Sequence, residues 1–152
     1  MRNKQKGFSL IELLIVVAII LIIAAIAIPN LLRSKMAANE ASAVGSLRTI
    51  NTASVAFSTT YGNYPHALTD LATNGAVSST AADLIDSVLA SGTKSGYTFK
   101  YTPDTTTYQA YTLTGAPTNA NVTGQRYFFT DQSGVIRANT SGAATSANSP
   151  LS

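Results

Sequence analysis

The chain has 152 residues, no cysteine, a single histidine and a formal net charge of +3. The length fits one domain plus an N-terminal segment, and the counts exclude disulfides, thiolate metal sites and two-histidine metal motifs. Three of the ten cations, Arg2, Lys4 and Lys6, lie in the first six residues; the remaining seven balance seven anions. The body therefore lacks the broad basic footprint that would support nucleic acid as a partner.

Phe8 to Ile28 is a 21-residue stretch, and Leu13 to Ile28 is an unbroken run of 16 apolar residues. At about 1.5 Å per residue such a helix spans roughly 31 Å, close to a bilayer's hydrocarbon thickness. A basic leader before an apolar run is also the layout of a secretory signal. Ala24-Ala25-Ile26-Ala27 offers small residues for ordinary signal cleavage, which is the alternative to a retained span. Glu12 is the anomaly. A carboxylate at a bilayer centre costs on the order of 3 kcal/mol, less near the interface. Cleavage between Gly7 and Phe8 would create an amine four residues from Glu12, able to pair with it in the same helix or on a neighbouring one. A tolerated interfacial or protonated Glu is the plainer account. Ala18, Ala24, Ala25 and Ala27 suit close packing of such helices, and contacts between identical copies that do not close generate a helical filament.

Pro29 removes a backbone donor and crowds the preceding turn. It either bends one continuous spine or separates two helices; a spine of about 50 residues, bent once, is the expectation. Beyond it, Ala43, Leu47, Ile50, Ala53, Phe57 and Tyr61 recur at helical spacing, with Asn39, Glu40, Ser42, Arg48 and Asn51 falling elsewhere. That is an amphipathic helix with one face needing a cover, ending near Gly62.

The segment "STAADLIDSVLASG" reads as a short helix capped by Thr80, with Leu84, Ile85, Val88 and Leu89 inward and Gly92 as its stop. "GYTFKYTP", "TYQAYTLTG" and "RYFFTDQSGVIRA" give three or four antiparallel strands. Their aromatics, Tyr97, Phe99, Tyr101, Tyr127, Phe128 and Phe129, read as sheet packing rather than a base-stacking platform. One sheet face is expected on the helix stripe. The low-complexity tail "NTSGAATSANSPLS" is expected to be disordered or to lie over the surface.

No nucleophile elbow or glycine-rich phosphate loop is present, so no catalytic residue, cofactor or metal is assigned. His66 reads as a loop residue capping a turn, Asp83 and Asp86 as solvated charges at a helix start, and Asp131 as part of a β-turn. One acid is a poor calcium ligand set. The sequons Asn121-Val122-Thr123 and Asn139-Thr140-Ser141 are short enough to arise by chance.

Lys6-Gly7-Phe8-Ser9-Leu10-Ile11-Glu12-Leu13, with the basic leader before it and Pro29 after it, resembles the class III signal sequence of type IV pilins and type II secretion pseudopilins. "YGNYPHALTDLA" is similar to the segment that follows the helix in many of them. The resemblance implies an α+β pilin fold: leader 1–7, transmembrane and filament-core helix 8–28, amphipathic helix half 29–61, and head 62–152 with an αβ-loop and sheet. It implies cutting between Gly7 and Phe8 by a prepilin peptidase, N-methylation of Phe8, and pairing of Glu12 with a neighbouring Phe8 amine in a helical homopolymer. Pro29 resembles the family's helix-bending proline. An inner-membrane assembly platform and a motor ATPase are the implied partners. The implied location is the bacterial inner membrane before assembly and the extracellular filament after it. The chain departs from disulfide-stapled pilins in lacking cysteine. A pseudopilin and a monomeric membrane-anchored binding protein are the rival expectations.

Overall fold

The structure, a computed structural model, describes residues 7–73 and 78–151. Helix α1, Leu10–Tyr61, is one element through Pro29. The chain divides into two units, Met1–Lys35 and Met36–Ser152. In the first unit, every residue from Leu10 to Lys35 is exposed except the half-buried Ala24. An 18-residue window of this helix is apolar enough to span a membrane, and none of it is buried by the chain.

The second unit is a meander on a helix. Strands β1 (Thr93–Lys94), β2 (Tyr97–Pro103), β3 (Tyr111–Pro117), β4 (Tyr127–Asp131) and β5 (Arg137–Asn139) form one antiparallel sheet in chain order. Five strands thus replace the three or four expected. The extra one, β1, is two residues long and exists through its pairing Thr93↔Thr98 and Lys94↔Tyr97. The inner face presents Tyr97, Phe99, Tyr111, Leu113 and Phe128 to the helix stripe Ala43, Leu47, Ile50, Ala53 and Phe57, all buried in one core. Period-2 and period-3.6 patterns meet here as the sequence requires. Tyr127 and Phe129 lie on the opposite face and are half-buried.

Two helix residues assigned to the solvent side are in fact buried. Asn51 donates from Nδ2 to Thr130 Oγ1 at 2.9 Å and accepts from the Tyr111 hydroxyl at 2.9 Å. Glu40 accepts from the backbone N–H of Gln125 (2.8 Å) and Arg126 (3.2 Å), and from Arg126 Nε at 2.7 Å. Beside it, Asn39 Nδ2 donates to the Thr123 carbonyl, and the Ser42 and Ser95 hydroxyls bond each other. Burial pushes the Glu40 carboxyl up, but its hydrogen bonds and the Arg126 charge outweigh that and hold it below the ordinary glutamate range. The β3–β4 loop is thereby latched onto α1.

The helix expected from Thr80 shrinks to one turn, α2, Ser87–Ala90. Its N-cap is Asp86, whose carboxylate accepts from Leu89 N at 2.8 Å, not Thr80. The preceding residues cannot be helical because their donors are committed elsewhere. Ala82 N bonds Asp70 O, and the N–H groups of Leu84 and Ile85 both bond Leu71 O. Asp83 takes φ 55°, which Asp tolerates better than most residues. Ile85 and Leu89 face inward as expected, whereas Leu84 and Val88 are 39% and 57% exposed. α1 ends as anticipated: Gly62, at φ 84°, donates to Ser58 O. The tail is ordered along β5, with Leu151 N bonding Ile136 O and Arg137 Nη1 bonding Asn148 O, both at 2.8 Å. That covers an edge that would otherwise offer unpaired backbone groups.

Two glycines give predictions of opposite sign. A Cβ at Gly124 would collide with the Tyr97 hydroxyl and ring, whereas one at Gly45, inside α1, meets nothing within 4 Å. Gly124→Ala is therefore expected to destabilise the second unit by about 1–3 kcal/mol, and Gly45→Ala to stabilise it by about 0.5–1 kcal/mol; thermal unfolding of the two variants checks both. For Glu40 the folded carboxyl lies below its unfolded value, so its stabilisation is complete above the ordinary glutamate range and lost as pH falls through the lowered value. Glu40→Gln is expected to cost about 1–3 kcal/mol at neutral pH, with the gap from the native chain closing in acid, as measured by denaturant unfolding across pH.

Candidate processing and assembly segment

The first described residues, Gly7, Phe8 and Ser9, lie outside the helix and are exposed, Phe8 by 83%. A Cβ at Gly7 would meet nothing within 4 Å. The basic leader before it, Arg2, Lys4 and Lys6, lies outside the described residues.

Glu12 sits in the first turn of α1. Its Oε2 accepts from Ser9 N at 3.0 Å, and Ser9 O accepts from Leu13 N at 3.2 Å. Glu12 thus satisfies one of the donors a helix start leaves free, the carboxylate half of a capping box, and its charge lies at the favourable end of the helix dipole. The pattern Ser9-x-x-Glu12 carries that signal in the sequence, and periodicity alone overlooks it. With residue 7 attached, Phe8 N is a peptide nitrogen, so the Glu12–amine pair belongs to a cut chain.

Pro29 lies within α1 and has no N–H to give to the Ala25 carbonyl four residues back. One turn on, the Ser34 hydroxyl donates to Asn30 O at 3.0 Å, a back-bond of the kind that bends helices. Ala18, Ala25 and Ala27 are exposed on the helix surface and Ala24 is half-buried.

The remaining residues singled out have local partners. His66 stacks on Tyr108 with ring centroids 4.1 Å apart, and its backbone N–H donates to Asp70 Oδ2 at 2.9 Å. Asp131 Oδ1 accepts from Ser133 N and Ser133 Oγ, closing the β4–β5 turn. Among the described residues no group of three or more His, Cys, Asp or Glu is placed to hold a metal ion. Asn139 spends its side chain on Ser141 and Ala143, and Asn121 sits at φ 63° in the β3–β4 loop.

A helix-on-meander unit and a bare apolar helix in one chain define a protein of the α+β pilin-like class. The family described as "Prokaryotic N-terminal methylation motif" matches residues 2–28. The "Type IV wide pilus major component PilA4" of Thermus thermophilus is 65% identical over 40 residues, 26% of this chain and 30% of that protein. The "Type IV major pilin protein PilA" of Myxococcus xanthus is 46% identical over 54 residues, 36% of this chain and 24% of that protein. The chain thus spans less than a third of the length of these curated relatives. Over the matched part of its length the chain is similar to these type IV pilus components, and its N-terminal segment carries the methylation motif.

Proposed function

We propose that the chain is a structural subunit of a type IV pilus-like filament, whose activity is assembly rather than catalysis. The observation that carries this reading is a helix apolar on every side, uncovered by its own chain, with one acid near its start. Such a surface is stable in lipid or among other apolar helices. The methylation motif and the similarity to two pilus components support the second environment as its destination.

In this reading residues 1–7 are the leader and the apolar helix holds the chain in the inner membrane. A prepilin peptidase then cuts after Gly7. Two features favour that bond: it lies outside the helix and exposed, and the space around Gly7 is open. The new Phe8 amine, once methylated, remains a cation. It displaces the Ser9 amide as the partner of a Glu12, preferably on an adjoining copy, and so sets the register between stalks. Residues 8–28 form the fibre core, and the sheet-bearing unit lies outside it. Pro29, which has no N–H to donate to the Ala25 carbonyl, marks where the spine bends or loosens during packing. A membrane platform and a cytoplasmic motor ATPase drive the exchange of lipid for neighbouring helices, and the finished filament is extracellular.

Mass spectrometry of surface fibres is expected to find chains that begin at N-methylated Phe8. A chain that begins after Ala27, released without its stalk, overturns the reading. Glu12→Ala is expected to insert in the membrane normally and to reduce fibres at least tenfold, counted by shearing and immunoblot.

A further inference from the structure

Of the seven cations among the described residues, Lys94 pairs with Asp86, Arg126 with Glu40, and Arg137 donates to Asn148 O, while Arg33, Lys35, Arg48 and Lys100 make no such contact; only Arg33 and Lys35 lie on the apolar helix unit. Arg33 and Lys35, exposed on the last turns of the first unit, have no hydrogen bond or ion pair among the described residues. Their own helix offers no acid within four residues of either, and the nearest acid along the chain, Glu40, is committed to Arg126 and two backbone amides. Two positions apart on a helix, they point to roughly opposite flanks, about 200° around the axis. They form a collar rather than a patch.

Their height along the helix is informative. If the hydrocarbon layer begins at Leu10, a rise of about 1.5 Å per residue reaches its far edge, about 30 Å away, at Asn30. Arg33 and Lys35 then stand roughly 34 and 37 Å along, inside the headgroup layer that adds several ångströms beyond the hydrocarbon. Leu31 and Leu32, exposed by 70% and 52%, lie just below, at the level where long cationic side chains reach outward to phosphate.

We propose that Arg33 and Lys35 bind anionic phospholipid headgroups of the leaflet that the helix enters last, with phosphodiester oxygens as acceptors. The collar fixes the level at which the helix leaves the membrane. The proposal rests on the membrane-stored precursor described above. Lipid is the source of the phosphate because the same helix surface immediately below is bare hydrocarbon-facing apolar side chain. On filament entry these contacts must be exchanged, so the collar also opposes premature extraction.

The test reconstitutes the full chain in phosphatidylcholine vesicles and adds spin-labelled phosphatidylglycerol or phosphatidylcholine to that leaflet alone. The motionally restricted fraction of each label is then compared. The native chain is expected to prefer phosphatidylglycerol, Arg33→Gln/Lys35→Gln to lose that preference by about fivefold for each cation removed, and Arg33→Lys/Lys35→Arg to keep it. Equal preference in the native and glutamine chains overturns the proposal. A native chain that restricts neither label has not inserted; that result sinks the membrane-stored reading, and the collar with it.

Discussion

An apolar helix that its own fold leaves uncovered is the constraint on which everything else in this molecule depends. From Leu10 to Leu32 the side chains are exposed with the partial exception of Ala24, so the first unit has no self-sufficient soluble state. Such a surface is stable when enclosed by lipid or by other apolar helices. Under the proposed function, Glu12 makes that enclosure selective. In the uncut chain it is satisfied by Ser9 N and the helix dipole, a modest local arrangement compatible with residence near a membrane interface. In the proposed function, removal of the leader would add a cation at Phe8 and offer the acid a second partner, altering the electrostatics of the stalk without changing its apolar surface.

The second unit solves a different problem. Its sheet has one apolar face, and α1 covers it with small and large residues in alternation: Ala43 and Ala53 admit the strands closely, while Leu47, Ile50 and Phe57 fill the space between. The Glu40 latch and the Asn51–Thr130–Tyr111 network then tie the helix to particular loops and strands. Such buried polar contacts contribute little net energy but are costly when one partner is missing. They define register between helix and sheet where apolar packing alone would tolerate sliding.

How much of this was legible before the structure depends on how local each cause is. The stalk is written in a 16-residue apolar run, and the stripe from Ala43 to Phe57 in its spacing, because each depends on the helix alone. Strands β2, β3 and β4 are visible because their aromatic and β-branched residues alternate. The failures share one origin. Glu40 and Asn51 look solvated until Arg126 and Thr130, some 80 residues later, arrive beside them. The stretch from Thr80 to Asp86 has a helical pattern, yet Asp70 and Leu71 carbonyls take its backbone donors. Strand β1 has no pattern of its own, being two residues recruited by β2. The Ser9–Glu12 cap was readable as Ser-x-x-Glu but is masked by the larger puzzle of an acid in an apolar helix.

The account turns on whether Glu12 meets the Phe8 amine of another copy. Fibres assembled from an equal mixture of two chains, one with 15N at the Phe8 amine and one with 13C at the Glu12 carboxyl, address this by solid-state NMR. Each labelled atom then has its counterpart only on a different molecule. A dipolar coupling between the two sites is the result expected. No coupling in the mixed fibres, with a coupling present when both labels share one chain, would show that the acid serves its own helix and contradict the account.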